Sequence, residues 1–320
     1  MRDAHGPSPA AASIAAAELG RDAPELAAYQ DEPAQMPSGV PGKSGYLHLG
    51  LERRDEHTIL ADLALRSPYM VQRVLYPEPA MPDLAWLFVI TTSGCVLQGD
   101  RLTLEVTAGP GARAHVTTQS ATKLHSMDAN YATQAQAFTL AEGAYVEFLP
   151  EPLIPHRRAR FLSDTRISID PTATLLYGEI LQSGRKHHHP DETFGATLLS
   201  LAMSAQRPDG RVLFSEKLLV EPARRPLRQT GVMDGFDVFG NVVLLTPPEH
   251  AARVLARTDA VVDHAEGVAF GACRLPNDAG VIFKVLARET AQVKAVVREF
   301  WATAREAVTG VALSPPFFWR

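Results

Sequence analysis

The sequence predicts a mostly β protein: a layered framework between a β-sandwich and a β-solenoid, closed by two C-terminal α-helices. Three observations carry that expectation. From Gly45 to Thr246, short stretches alternating between apolar and polar residues follow one another, separated by Gly, Pro, Asp and Asn. No helical period interrupts them, which excludes a doubly wound α/β sheet. One phrase also recurs, an apolar-x-apolar strand end, a small turn, an alanine and a new strand. It reads Leu104-Glu105-Val106 to Gly111-Ala112, Phe138-Thr139-Leu140 to Gly143-Ala144, and Ile167-Ser168-Ile169 to Thr172-Ala173. The turn positions Gly111, Gly143 and Thr172 lie 32 and 29 residues apart, a spacing that suits stacked β layers. A plain antiparallel meander would also place its turns at such intervals.

Taken in order, residues 1–44 read as a tail, mostly disordered in isolation, with a short helix around Ala10–Leu19. Residues 45–320 form a single β-rich domain. Its expected strands are Thr58–Arg66, Leu84–Thr92, Arg101–Val106, Arg113–Thr118, Gln136–Leu140 and Ala144–Leu149. Arg166–Ile169, Thr174–Leu181, Thr193–Ala205, Val212–Val220 and Asn241–Leu245 continue the series. Gly109-Pro110-Gly111 forces a chain reversal between two of them. Pro247-Pro248-Glu249 opens a helix near 250–262, because proline suits a first helical turn. Gly267–Arg274 and Val281–Ala287 flank Asn277–Gly280 as a hairpin. The second helix covers 289–308: Val293, Val296, Val297, Phe300, Trp301, Ala304 and Val308 recur at three- and four-residue steps, and Gly310 stops it.

Composition narrows the function. The 320 residues carry a net charge of −5, which gives no pull toward nucleic acid or an anionic membrane. No apolar run reaches the roughly 20 residues of a spanning helix, and the acidic N-terminus is unlike a signal or transit peptide. Two cysteines, Cys95 and Cys273, suit a reducing cytoplasm better than a secreted disulfide scaffold. P-loop, Rossmann, HExxH and GxSxG motifs are absent, so no enzymatic centre is visible.

The candidate sites are few. Gly184–Glu192 contains His187-His188-His189 beside Asp191 and Glu192, imidazole and carboxylate groups that accept nickel, copper or zinc. On a strand His187 and His189 would share a face; an exposed polar loop is the plainer reading. Asp100 follows Gly99 and Glu179 follows Gly178, each at a strand edge, where a buried acid needs a partner or a metal. Trp301 could reach a partner if its helix lies at an edge. The runs Thr117–Lys123, Leu153–Arg160 and Pro222–Arg228 supply neutral hydrogen-bonding or basic groups without an accompanying base or aromatic platform.

Thr92–Lys123, with its Gly99-Asp100, its GPGA turn and its TTQSATK run, resembles the core motif of the UreD (UreH) urease accessory family. Phe148–Pro155 is similar to that family's LP-x-x-x-I stretch. Gly178-Glu179-Ile180-Leu181 with Gly184-Arg185 is similar to its E-x-L-x-x-GR element, and Glu192-Thr193-Phe194 to its GE-x-F. Pro316–Arg320 resembles its closing PRIWR. The likeness runs from Gly45 to Arg320; the glycine of GE-x-F is Asp191 here, and the histidine triplet is not part of the family pattern. The resemblance implies a non-enzymatic maturation factor that docks on the urease apoenzyme with UreF and UreG, holds no tight cofactor, and handles nickel transiently. It implies Asp100 and Glu179 as weak oxygen ligands along an internal nickel path. Apart from the resemblance, His187 and His189 are weaker metal candidates, and Arg185, Trp301, Trp319 and Arg320 are the partner-binding candidates. The competing readings are a β-solenoid carbohydrate-active enzyme, which would need a converging acid–base pair in an open groove, and a β-rich interaction module without a metal role.

Overall fold

A computed structural model describes residues 18–31 and 42–315. In chain order the early strands are β1 (Ser44–Arg54), β2 (His57–Arg66), β3 (Tyr69–Val71), β4 (Ala85–Thr91), β5 (Arg101–Ala108) and β6 (Arg113–Thr118). The middle strands are β7 (Thr122–Leu124), β8 (Ala132–Leu140), β9 (Tyr145–Phe148), β10 (Leu153–Pro155), β11 (Arg160–Ile169) and β12 (Thr174–Gln182). The last are β13 (Leu198–Gln206), β14 (Val212–Val220), β15 (Val238–Leu245), β16 (Val261–Asp263), β17 (Val268–Arg274) and β18 (Gly280–Ala287). Helix α1 spans Pro248–Leu255 and α2 spans Thr290–Thr309.

The strands form two sheets. The first runs β14-β13-β11-β8-β5-β1-β2 and the second β16-β17-β18-β15-β12-β9-β6-β4-β3, with β7 and β10 beside it. Each repeated phrase is one layer. β5, β8 and β11 pair in parallel register in the first sheet, while β6, β9 and β12 do so in the second. The GPG turn therefore carries the chain from one sheet to the other; it does not fold a hairpin as the reversal suggested. Small residues make that corner possible. Ala112, Ala144 and Ala173 are buried one above another. Gly111 and Gly143 both adopt φ +64°, a left-handed conformation that costs glycine nothing. The Gly111 amide donates to Glu142 O at 2.8 Å, and the Gly143 amide to Thr172 Oγ1 at 2.9 Å, which locks the layers in register.

The inward faces of the sheets supply one core, including Leu47, Leu104, Val106, Phe138, Phe161 and Leu175. A second core lies on the other face of the second sheet, beneath α1 and α2. There Val293, Val297, Phe300 and Ala304 of α2 meet Val242, Phe283 and Val285. Phe300 stacks on Phe283 with ring centroids 4.3 Å apart. Burying side chains of this size stabilises by about 1.5–3 kcal/mol each.

Several expectations need correction. The helix placed at 250–262 ends at Leu255, and 261–263 is a strand pairing with β17. The apolar moment of the segment is spent by Val254, and Thr258 returns a hydrogen bond to Val254 O at 2.8 Å, closing the helix. The strand placed at Thr193–Ala205 begins only at Leu198, because Pro190–Glu192 is a 3₁₀ turn. β1, whose Leu47, Leu49 and Leu51 face the core, was not among the expected strands. Residues 18–31, assigned to the tail, include a 3₁₀ turn whose Leu26 is buried with Tyr131, Leu162 and Leu198. Residues 10–17 of the expected tail helix and the terminal Trp319 and Arg320 lie outside the described residues.

Candidate functional site: a cavity between the sheets

β12 turns Tyr177 and Glu179 to one face, the face toward the first sheet, since alternate strand residues share a side. Both line a cavity of about 240 Å³ together with Gln134 and Gln136 of β8, Ser163 of β11 and Tyr69 of β3. Gly94, Ser120 and Lys123 also line it and are exposed, so it reaches the surface there. The Tyr177 hydroxyl donates to Glu179 Oε1 at 2.9 Å and lies 3.0 Å from Gln136 Oε1 and 3.4 Å from Thr165 Oγ1. Gln134 Nε2 donates to the Tyr69 hydroxyl at 3.2 Å. The result is a string of neutral oxygen and amide groups that ends on Glu179, while the cavity's other acid, Glu151, is paired with Lys294.

Among the described residues no cation is in ion-pair contact with Glu179, and Lys284 acts on it only at longer range. Burial, aided by the negative charge of Glu216, pushes the Glu179 carboxyl up to about 7, against the Tyr177 and Asn241 hydrogen bonds and the Lys284 charge that lower it. Near neutral pH the group can therefore hold a proton or give it up. An oxygen ligand in that state is weak and exchangeable.

Asp100 stands elsewhere and is fully buried. Its Oδ1 accepts from the Lys43 amide at 3.0 Å and from Lys43 Nζ at 3.0 Å, and its Oδ2 accepts from the Leu97 amide at 2.8 Å. These bonds hold the Leu97–Asp100 turn against the start of β1. The cavity wall does not include it, so the fold does not bring the two proposed path acids together.

The other candidates are surface groups. His187 and His189 have side chains 80% and 60% exposed, beside Glu289 at 3.6 Å and Asp191 at 3.7 Å. His189 Nδ1 accepts the Asp191 amide at 3.2 Å, so the loop is a capped turn and the histidines do not converge. Among the described residues no group of three or more His, Cys, Asp or Glu side chains is placed to hold a metal. Arg185 grips Glu192 through Nη2 at 2.6 Å and Nε at 3.2 Å, stitching that loop closed. At Gly184 a Cβ would stand 2.0 Å from Glu192 O, so the Gly184-Arg185 pair is required by the turn itself. Trp301 faces inward, stacked on His115 with centroids 4.9 Å apart.

Sequence reasoning missed a buried ionic cluster. Arg305 of α2 is 0% exposed. It donates from Nε and Nη2 to both oxygens of Glu147 at 2.8 and 2.7 Å, and from Nη1 to Glu78 at 2.8 Å. His115 Nδ1 lies 2.9 Å from Glu147, and Tyr145 donates to it at 2.6 Å. Trp86 and Trp301 enclose the His115 ring from either side. Burial alone would raise the Glu147 carboxyl; the His115 and Arg305 hydrogen bonds reverse this and hold it at about 2. No local signal marks these residues, since Glu147 and Arg305 are 158 positions apart. The cluster fastens α2 to the second sheet.

Comparison with known proteins decides the family. A profile described as UreD urease accessory protein matches residues 43–320. The chain belongs to the UreD family. It is 54% identical over 307 residues to a urease accessory protein UreD of Yersinia pseudotuberculosis serotype O:1b, an alignment that covers 96% of each chain. A UreD of Photorhabdus laumondii is 53% identical over 302 residues, 94% of each chain. A UreD 2 of Brucella suis is 50% identical over 301 residues, 94% of this chain and 99% of the relative. Membership makes this a non-catalytic urease accessory protein, a chaperone in nickel insertion and a partner of the urease maturation complex. No helix among the described residues is long and apolar enough to cross a membrane.

Proposed function

We propose that this UreD chain is a scaffold that docks on the urease apoenzyme with UreF and UreG, and that nickel passes through the cavity between its sheets on the way to the urease active site. The observation that carries this reading is Glu179, an acid without an ion-pair partner among the described residues, in the wall of a cavity that reaches the surface. Nickel is cargo here, so each ligand must release it. Carboxylate, amide and hydroxyl oxygens suit that task better than a closed set of imidazoles or thiolates, which bind nickel strongly. A carboxyl close to neutral adds a second reason for weak retention, because the metal must displace a proton to bind. Asp100 supports the path indirectly, by holding the turn that precedes the cavity's Leu102 and Leu104.

The test is co-expression of urease with Glu179→Ala and Glu179→Gln chains. The expected result is a folded, complex-forming chain with lowered nickel content in urease. Full nickel loading by both variants overturns the assignment of Glu179.

A further inference from the structure

Glu179 is the inner end of a cross-strand row. It pairs in register with Asn241 of β15, and Asn241 pairs with Lys284 of β18, so the three side chains stand side by side on the inner face of the second sheet. From the opposite sheet Glu216 of β14 reaches across to the same row. Asn241 Nδ2 donates to Glu216 Oε1 at 2.6 Å, and Lys284 Nζ donates to Glu216 Oε2 at 3.0 Å. The two glutamates are thus brought to either side of one amide.

That amide is half used. Asn241 is 5% exposed and its Oδ1 has no hydrogen-bond partner among the described residues. A buried amide oxygen without a partner calls for an explanation. Rotating the amide would aim Oδ1 between two carboxylates, an arrangement that repels unless a cation lies among them. A positive charge is already at that place, on the Lys284 ammonium, whose side chain is 48% exposed and carries its Nζ 5.5 Å from the Phe239 ring centroid. An ammonium on a flexible four-carbon stem can leave without unfolding a strand.

We propose that Glu179, Glu216 and Asn241 Oδ1 form an oxygen-donor site for a divalent cation, kept closed by Lys284, whose ammonium takes the cation's place until it swings out. The inference rests on the reading of Glu179 as a path residue and supplies its second acid and its gate. Carboxylate and carbonyl oxygens select Mg²⁺, Ca²⁺ and Mn²⁺ by type and hold nickel loosely.

Mn²⁺ is the probe, because its preference for oxygen keeps it off the exposed histidines. The full-length chain is titrated with Mn²⁺ at pH 8 and free Mn²⁺ is read by electron paramagnetic resonance. The wild-type chain should bind weakly. Lys284→Met and Lys284→Gln should each bind tighter by roughly tenfold or more, the scale expected when a unit positive charge is removed at contact distance. Adding Glu216→Gln to Lys284→Met should return binding to the wild-type level or below. Lysine variants that bind no tighter, or a Glu216→Gln change that leaves the gain intact, overturn the site. Urease loading separates the two readings. Glu179→Gln chains that load urease fully remove the conduit but not the Mn²⁺ site. Impaired loading with Glu179→Gln, beside Mn²⁺ binding indifferent to Glu216 and Lys284, removes the site but not the conduit.

Discussion

Glu147 and Glu179 occupy neighbouring parallel strands, β9 and β12, and both are acids enclosed by protein, yet they are opposite objects. Glu147 faces α2 and meets Arg305, His115 and Tyr145. Glu179 faces the cavity and meets the Tyr177 hydroxyl and the Asn241 amide, with the opposed charges of Glu216 and Lys284 only at longer range. The first is held near 2 and the second near 7. Burial does not decide what a carboxylate does; its partners do. Where partners are complete the acid is a fastener, and where they are withheld it remains available for exchange.

The largest expected effect breaks the fastener. Arg305→Met leaves Glu147 and Glu78 buried without their cation, a defect that costs about 3–5 kcal/mol. Chemical denaturation should show a loss of that size or an insoluble chain. The paired change Arg305→Met with Glu147→Met should recover most of it, since well-packed apolar groups can replace a buried ion pair. No recovery would mean that α2 depends on something other than this charge pairing.

Glu179→Gln should act in the other direction. The folded carboxyl at about 7 lies above its ordinary 4.5, so between these values the folded chain binds more protons than the unfolded one. Stability carried by this group therefore falls as pH rises through that window. The glutamine variant should be more stable than wild type above pH 7, by up to about 3 kcal/mol, and equal to it below pH 4.5. Glu147 runs oppositely: its contribution is present above 4.5 and lost as pH falls toward 2. Thermal melts across pH 3–9 on both variants check the signs. A variant that gains stability and loses urease loading would be the sharpest mark of a group kept for function.

Leu26→Ala extends the contrast to a segment held by apolar packing together with the Lys217–Glu25 ion pair and the Asn130–Asp31 hydrogen bonds. Leu26 is buried against Tyr131, Leu162 and Leu198, and its truncation should cost about 2–3 kcal/mol, the lower part of the Leu→Ala range. Proteolysis of residues 18–31 should accelerate in step. The smallest effect belongs to the exposed loop: His187→Ala with His189→Ala should change stability by less than about 0.5 kcal/mol, because their ion pairs lie in water.

Much of this was legible in the residues alone. The alternation along β5, the spacing of Gly111, Gly143 and Thr172, and the stripe from Val293 to Val308 identified strands, layers and the long helix. They are local signals, written by sterics and by the periods of backbone geometry, so neighbours in sequence suffice to express them. Tertiary structure alone decided that the layers stack in parallel and that the GPG corner passes between sheets. It also decided that Asp100 is consumed by Lys43, and that Arg305 closes on an acid far away in the chain. The energy of a charge depends on what surrounds it in space, and no period in the sequence records which distant strand will supply its partner.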